Sequence, residues 1–117
     1  MTVTATVRLL ERSGVPVAAP EGEIDLANIA DCRAQLIAVV PNTAPGLVVD
    51  LSQTTYLDSR GVHLILELAE RLRTSQQQMA LVVPERSVIR RVLLLTQVDK
   101  TVPFYRTLDD ALQQFQS

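Results

Sequence analysis

The chain has 117 residues, 47% of them hydrophobic and 21% charged, with a formal net charge of −2. That is the usual size of one compact domain (1–117), and its apolar content suffices for a core without disulfides. Eleven cations against thirteen acids, not gathered into a tract, leave no electrostatic footprint for direct nucleic-acid binding, and the single cysteine, Cys32, excludes an internal disulfide and a four-cysteine zinc site.

Val3, Ala5, Val7 and Leu9 alternate with Thr2, Thr4, Thr6 and Arg8, the period of a strand with one buried face. Arg12-Ser13-Gly14 is a turn and PVAAPEG the returning strand, so a hairpin is expected from Val3 to about Gly22. Pro16 and Pro20 each lack a ladder donor, which predicts an edge strand or a short one. EIDLAN leads into a first helix with Asn28 as N-cap and Asp31 in its first turn. Ile29, Cys32, Leu36 and Val39 or Val40 form its apolar stripe, so Cys32 reads as a buried thiol, and Pro41-Asn42 ends the helix.

Leu47 to Leu51 is a short β-branched and apolar run, a buried strand. A second helix follows from about Arg60 to Thr74. Val62, Ile65, Leu66, Ala69 and Leu72 are expected inside it, with His63, Glu67, Glu70, Arg71 and Thr74 outside. MALVVP is a third buried strand and Glu85 to Gln97 a third helix, on whose polar side Leu94 is left over near Arg86 and Arg90. TVPFYR reads as a last strand, and TLDDALQQFQ as a closing helix capped by Thr107, with acids at the positive end of its dipole. The order is β-β-α-β-α-β-α-β-α. It predicts an α/β fold with a mixed, mostly parallel sheet of about five strands and about four helices.

No window approaches the ~18 apolar residues of a membrane span, and the N-terminal segment alternates instead of forming a signal core. The expectation is a cytoplasmic protein with no direct membrane insertion. The four glycines assemble neither GxGxxG nor GxxxxGK[ST], and HExxH and GxSxG are absent. No cofactor, no metal and no catalytic residue is expected.

The stretch YLDSRGVHLILEL, Tyr56 to Leu68, changes from strand to helix period at Asp58, Ser59, Arg60 and Gly61. Its plainest meaning is a helix cap, since Asp and Ser are leading N-cap residues. Two features ask for more. Gly61 costs about 1 kcal/mol against Ala in a helix, and in a first turn it leaves the backbone open to another chain. Two good cap residues stand side by side, so one can serve the helix while the other keeps a free hydroxyl. A helix N-terminus also favours a phosphoryl group. His63, the only histidine, lies four residues after Ser59, but a serine hydrolase would need an orienting acid and an oxyanion hole besides. Its i,i+4 neighbour Glu67 accounts for it as part of a solvated polar face.

Asp58-Ser59-Arg60-Gly61-Val62 resembles the D-S-[S/T]-G-[L/V/I] phosphorylation motif of STAS domains of anti-sigma-factor antagonists. Gly22-Glu23-Ile24-Asp25 resembles the same family's G-E-L-D segment, which closes the second strand. The resemblance implies a non-enzymatic antagonist that binds an anti-sigma factor with a histidine-kinase-like ATPase fold and thereby frees a sigma factor. It implies that this partner, with Mg-ATP, phosphorylates Ser59, that the phosphoprotein no longer binds, and that a PP2C-type phosphatase resets it. Asp58 then matches the acid beside the acceptor and Asp25 the acid of the second motif. The binding surface would comprise the junction, Asp25, Asp58, Ser59, Arg60 and Gly61, with His63, Glu67 and Arg71 on the exposed helix face. Arg60 departs from the small residue usual there; it would pair with a phosphate, alter which kinase fits, or mark a chain that binds without being phosphorylated. The alternative use of such a domain is as an adaptor subunit of a membrane lipid-transport ATPase complex, acting without phosphorylation. Oligomeric state is left open.

Overall fold

The computed structural model describes residues 4–115 and forms a six-stranded sheet with helices on both faces. The strands are β1 (Thr6–Arg12), β2 (Val15–Ile24), β3 (Gly46–Asp50), β4 (Thr54–Leu57), β5 (Gln78–Val82) and β6 (Phe104–Tyr105). The helices are α1 (Ile29–Ala38), α2 (Ser59–Thr74), α3 (Val88–Leu95) and α4 (Leu108–Gln113). The sheet order is β1-β2-β3-β5-β6, with β4 pairing β2 beyond the end of β3. Only β1 runs antiparallel to its neighbour. The expected start of β1 at Val3 and the expected helical residue Gln116 lie outside the described residues.

The expected sheet of about five strands holds with one strand added, and one expectation about β2 is corrected. The sheet has a sixth strand, β4, because the chain turns at Leu51–Gln53 and resumes extended structure at TTYL, a β-branched and aromatic run. And β2 is neither short nor an edge: it has ten residues and lies between β1 and β3. Backbone polar groups alternate sides along a strand. The Pro20 carbonyl accepts the Thr54 hydroxyl at 2.8 Å and the Gly22 N–H donates to Gln53 O at 2.9 Å, both on the β4 side. The missing donors of Pro16 and Pro20 therefore face away from β1, and the hairpin ladder stays whole from Thr6↔Glu21 to Arg12↔Val15. On the other side β2 meets β3 only at Val17 and Ala18, between the two prolines. The strand then shifts register at Gly22, whose φ of +78° suits a bulge, and continues along β4.

One face of the sheet is covered by α1, α2 and α3 over a core that includes Leu47, Val49, Leu51, Leu81, Ile89 and Leu93. The other face carries α4 over Val15, Val17, Val48, Ala80 and Val82. β1 is the true edge, which leaves Leu9 exposed although its alternation predicted burial. In α2 the buried positions include Leu64 and Leu68, while Leu66 and Ala69 are only half-buried, so the inner face is rotated from the one expected. The cause is α1, which packs beside α2 as well as against β2. α3 begins later than Glu85, at Val88, where the Ser87 hydroxyl accepts the Arg90 N–H at 3.0 Å. Thr107 caps α4 as expected.

Cys32 is 0% exposed, and burial pushes its thiol up to about 11, with the nearby Asp31 carboxylate adding to the shift. The raised value stabilises the fold fully below the ordinary thiol range and progressively less above it, because the unfolded chain ionises first. Urea unfolding from about pH 8.5 to 11 should therefore show a loss of up to ~3 kcal/mol. The same series on Cys32→Ala should lack that component, whatever its absolute stability.

Candidate functional site

β2 and β4 run parallel and end together, with Glu23 opposite Tyr56 and Ile24 opposite Leu57. The residues that follow, Asp25 and Asp58, leave the sheet as neighbours, and the Asp58 N–H donates to the Ile24 carbonyl at 3.4 Å. The two sequence motifs thus meet at one end of the sheet.

Asp58 is the N-cap of α2. Its backbone is extended, and its Oδ1 accepts the Arg60 N–H at 2.9 Å and the Gly61 N–H at 3.2 Å. Ser59 is the first helical residue, is exposed, and takes no part in the cap. Of the two adjacent cap candidates, the acid serves the helix and the hydroxyl is left at the surface beside it. Arg60 is exposed and joins none of the ion pairs among the described residues.

Asp25 is held in a tight turn. Its Oδ1 accepts the Ala27 N–H at 2.9 Å, and its own N–H donates to Asn28 Oδ1 at 3.1 Å. Asn28 Nδ2 in turn donates to the Glu23 carbonyl at 2.8 Å. Asn28 does occupy the N-cap position of α1, but its side chain makes no cap bond. It is used instead to shape the Glu23–Asp25 turn.

Gly61 requires a correction. It is buried, and a Cβ there would lie 3.0 Å from Leu57 Cγ and 3.4 Å from Ile24 Cγ2. The close approach it permits is to the ends of β2 and β4 of this same chain, not to another chain, so Gly61 positions the site without presenting a surface.

Further along α2, His63 and Arg71 are exposed. Glu67 is half-buried and bound by Arg33 of α1, with Nη2 at 2.6 Å and Nε at 2.8 Å from Oε2. That hydrogen-bonded guanidinium holds the Glu67 carboxyl below the usual range, with smaller help from the charges of His63 and Arg71. Glu67 is thereby a tie between two helices before it is a contact for anything else. With Asp58 spent on backbone amides and Glu67 on Arg33, neither acid is placed to orient His63 as a base for Ser59.

Two residues absent from the expected site are exposed at the same end of the sheet as Ser59. Leu26, in the turn after Asp25, is 64% exposed, and Tyr56, on β4, is 49% exposed. The strand composition of TTYL was the signal available for Tyr56. Leu26 carries no local signal, because its exposure follows from the Asn28 turn.

Comparison with known proteins places this geometry. The STAS domain family model matches residues 6–111. The chain is 36% identical over 107 residues to the anti-sigma-F factor antagonist RsfB of Mycobacterium tuberculosis, across 92% of this chain and 86% of that protein. The crystal structure of an anti-sigma factor antagonist from Mycobacterium paratuberculosis is similar with a TM-score of 0.86 and 32% identity, over 100% of both chains. An anti-sigma-factor antagonist (STAS) domain protein from Planctomyces limnophilus shares the fold at a TM-score of 0.81 and 20% identity, over 96% of this chain and 98% of that one.

The division of labour at the cap is measurable. Asp58→Ala removes the acceptor of two amides and should cost about 1–2 kcal/mol in urea unfolding, with Asp58→Asn recovering most of it. Ser59→Ala should stay within about 0.5 kcal/mol of the parent chain.

Proposed function

This chain belongs to the STAS domain family of anti-sigma-factor antagonists, and on that premise we propose that it binds an anti-sigma factor of the kinase-like ATPase type and is released by phosphorylation of Ser59. The single observation that carries the reading is the separation of roles at the start of α2, where Asp58 satisfies the helix and Ser59 is exposed outside the cap. A kinase needs a reachable hydroxyl; a binding surface needs that hydroxyl at its centre. Leu26 and Tyr56 supply exposed apolar area at the same end of the sheet, and Arg60, His63 and Arg71 extend the surface along α2.

The switch rests on charge. A phosphate adds about −1.5 to −2 charges at pH 7. On Ser59 it would stand next to the Asp58 carboxylate and near Asp25. In the free protein, water screens those charges. Within a complex the same group must be desolvated among like charges, which is unfavourable. A penalty of ~3 kcal/mol weakens binding more than a hundredfold. Arg60 is the one cation immediately beside the acceptor and would offset part of that penalty. Restoring the antagonist then requires removal of the phosphate, the role of a PP2C-type phosphatase.

Incubation with the cognate anti-sigma kinase and Mg-ATP should add a single phosphate, read by intact mass and absent from Ser59→Ala. Calorimetric binding to the same partner should fall by about a hundredfold or more in Ser59→Asp, and Arg60→Ser should widen the gap between the unmodified and phosphorylated forms. Binding unchanged in both Ser59→Asp and the phosphorylated chain would overturn the switch and leave an adaptor role.

A further inference from the structure

We infer that this chain pairs with a second copy of itself, the outer face of α3 in each copy meeting the acidic end of β2 and β4 in the other. The starting observation is the concentration of exposed apolar side chains on a helix of eight residues. Val88 is 73% and Leu95 77% exposed, and Leu94 is exposed too. Arg86, Arg90 and Arg91 lie among them, and none of the three joins an ion pair among the described residues. The neighbouring acid, Glu85, is taken by Arg106 at 3.3 Å. Arg90 is further fixed over the Phe104 ring, 5.8 Å from its centroid. A chain of net charge −2 thus carries a basic and aliphatic face.

The complement of that face is on the same molecule. Glu23, Asp25 and Asp58 gather where β2 and β4 end, three acids against the cation Arg60, with Leu26 and Tyr56 exposed at the same end. An isologous contact is closed by symmetry when two complementary patches adjoin on one surface. They do adjoin here, because α3 packs against β4, the strand that carries Tyr56 and leads into Asp58. A two-fold arrangement therefore meets each set of arginines with the partner's carboxylates, twice. An α3-to-α3 contact would instead oppose arginine with arginine.

The contact covers Ser59, so self-pairing competes with anything that must reach that hydroxyl. It stands, however, on charge and exposure alone and does not depend on phosphorylation.

The unmodified full chain tests it without any partner. Light scattering after size exclusion, from about 10 μM to about 1 mM at low salt, should show a mass rising towards two chains, and added salt should reverse the rise. Arg91→Glu alone and Glu23→Arg alone should each weaken the pairing about tenfold or more, and the double variant should restore it. Circular dichroism of each variant separates loss of pairing from loss of fold. A monomer at every concentration would overturn the inference, and so would pairing that ignores both charge reversals. Co-sedimentation of a monomeric chain with phosphatidylglycerol vesicles, lost in Arg91→Glu, would overturn it by assigning the face to a membrane.

Discussion

The upper end of this fold depends on two hydrogen bonds accepted by one carboxylate. A helix begins with amides that have no partner within it. In α2, Asp58 provides for two of them, its Oδ1 taking Arg60 and Gly61, while its main-chain carbonyl accepts the first regular helical bond from Val62 at 3.1 Å. A serine in that position would have satisfied the helix with a neutral oxygen. The acid adds a charge at the positive end of the macrodipole, a favourable placement worth about 0.3–1 kcal/mol near a surface. The consequence extends beyond stability. With the cap complete, the next side chain is free, and it is a hydroxyl held in a fixed position by a sixteen-residue helix. The burial of Val62, Ile65, Leu68 and Leu72 fixes that helix in turn.

Asp58 reaches its place through the relay of partners along β2. That strand leaves β3 after two paired residues, bends at Gly22, and picks up β4. The Thr54 hydroxyl bonds the Pro20 carbonyl where the prolines and the bulge interrupt the ordinary ladder. Without the relay, the strand before the helix would end level with Asp50. With it, Leu57 ends level with Ile24, and two acids distant in sequence emerge together. Asn28 completes the arrangement by bonding across the Glu23–Asp25 turn. Gly61 lets α2 start directly against Leu57 and Ile24, where any side chain would push it outward.

Much of this was legible in the sequence, and the illegible parts share a cause. Helical periodicity located all four helices, and the apolar runs around Leu47 and Leu81 gave two central strands, because burial on both faces leaves a continuous signature. The pair of motifs gave the position of Ser59 and the two acids. What failed were inferences that need a neighbour. Proline at positions 16 and 20 argues for an edge only if its missing donor faces a partner that requires it, and which side it faces is set by pairing. The outward role expected of the glycine at 61 fails because its packing against Leu57 requires β4, a strand that no local pattern announces. Glu67 was matched with His63 on its own helix, whereas its stronger partner, Arg33, belongs to another one. Local rules describe an element; they do not say what lies across from it.

Under the proposed switch, the same cap would let a phosphate on Ser59 act on binding without acting on the fold. A phosphate on this side chain would be the second anion at a helix terminus whose second- and third-residue amides are already bonded to Asp58. The Ser59 amide aside, it could gain those N–H groups only by displacing the carboxylate, an exchange of one anion for another with little net change in helix stability. At worst the exchange removes a cap, a cost of about 1–2 kcal/mol against a typical domain stability of 5–15 kcal/mol. The fold survives either outcome. The surface would not stay the same, since an exposed neutral hydroxyl would become a hydrated dianion at the end of the sheet where Leu26 and Tyr56 are also exposed. An interface senses that difference in full because it must strip the water away, whereas the folded chain leaves the water where it is. A site that tolerates charge in isolation and rejects it in contact is what the proposed binding switch requires, and one aspartate, by capping the helix in place of its neighbour, would provide both properties.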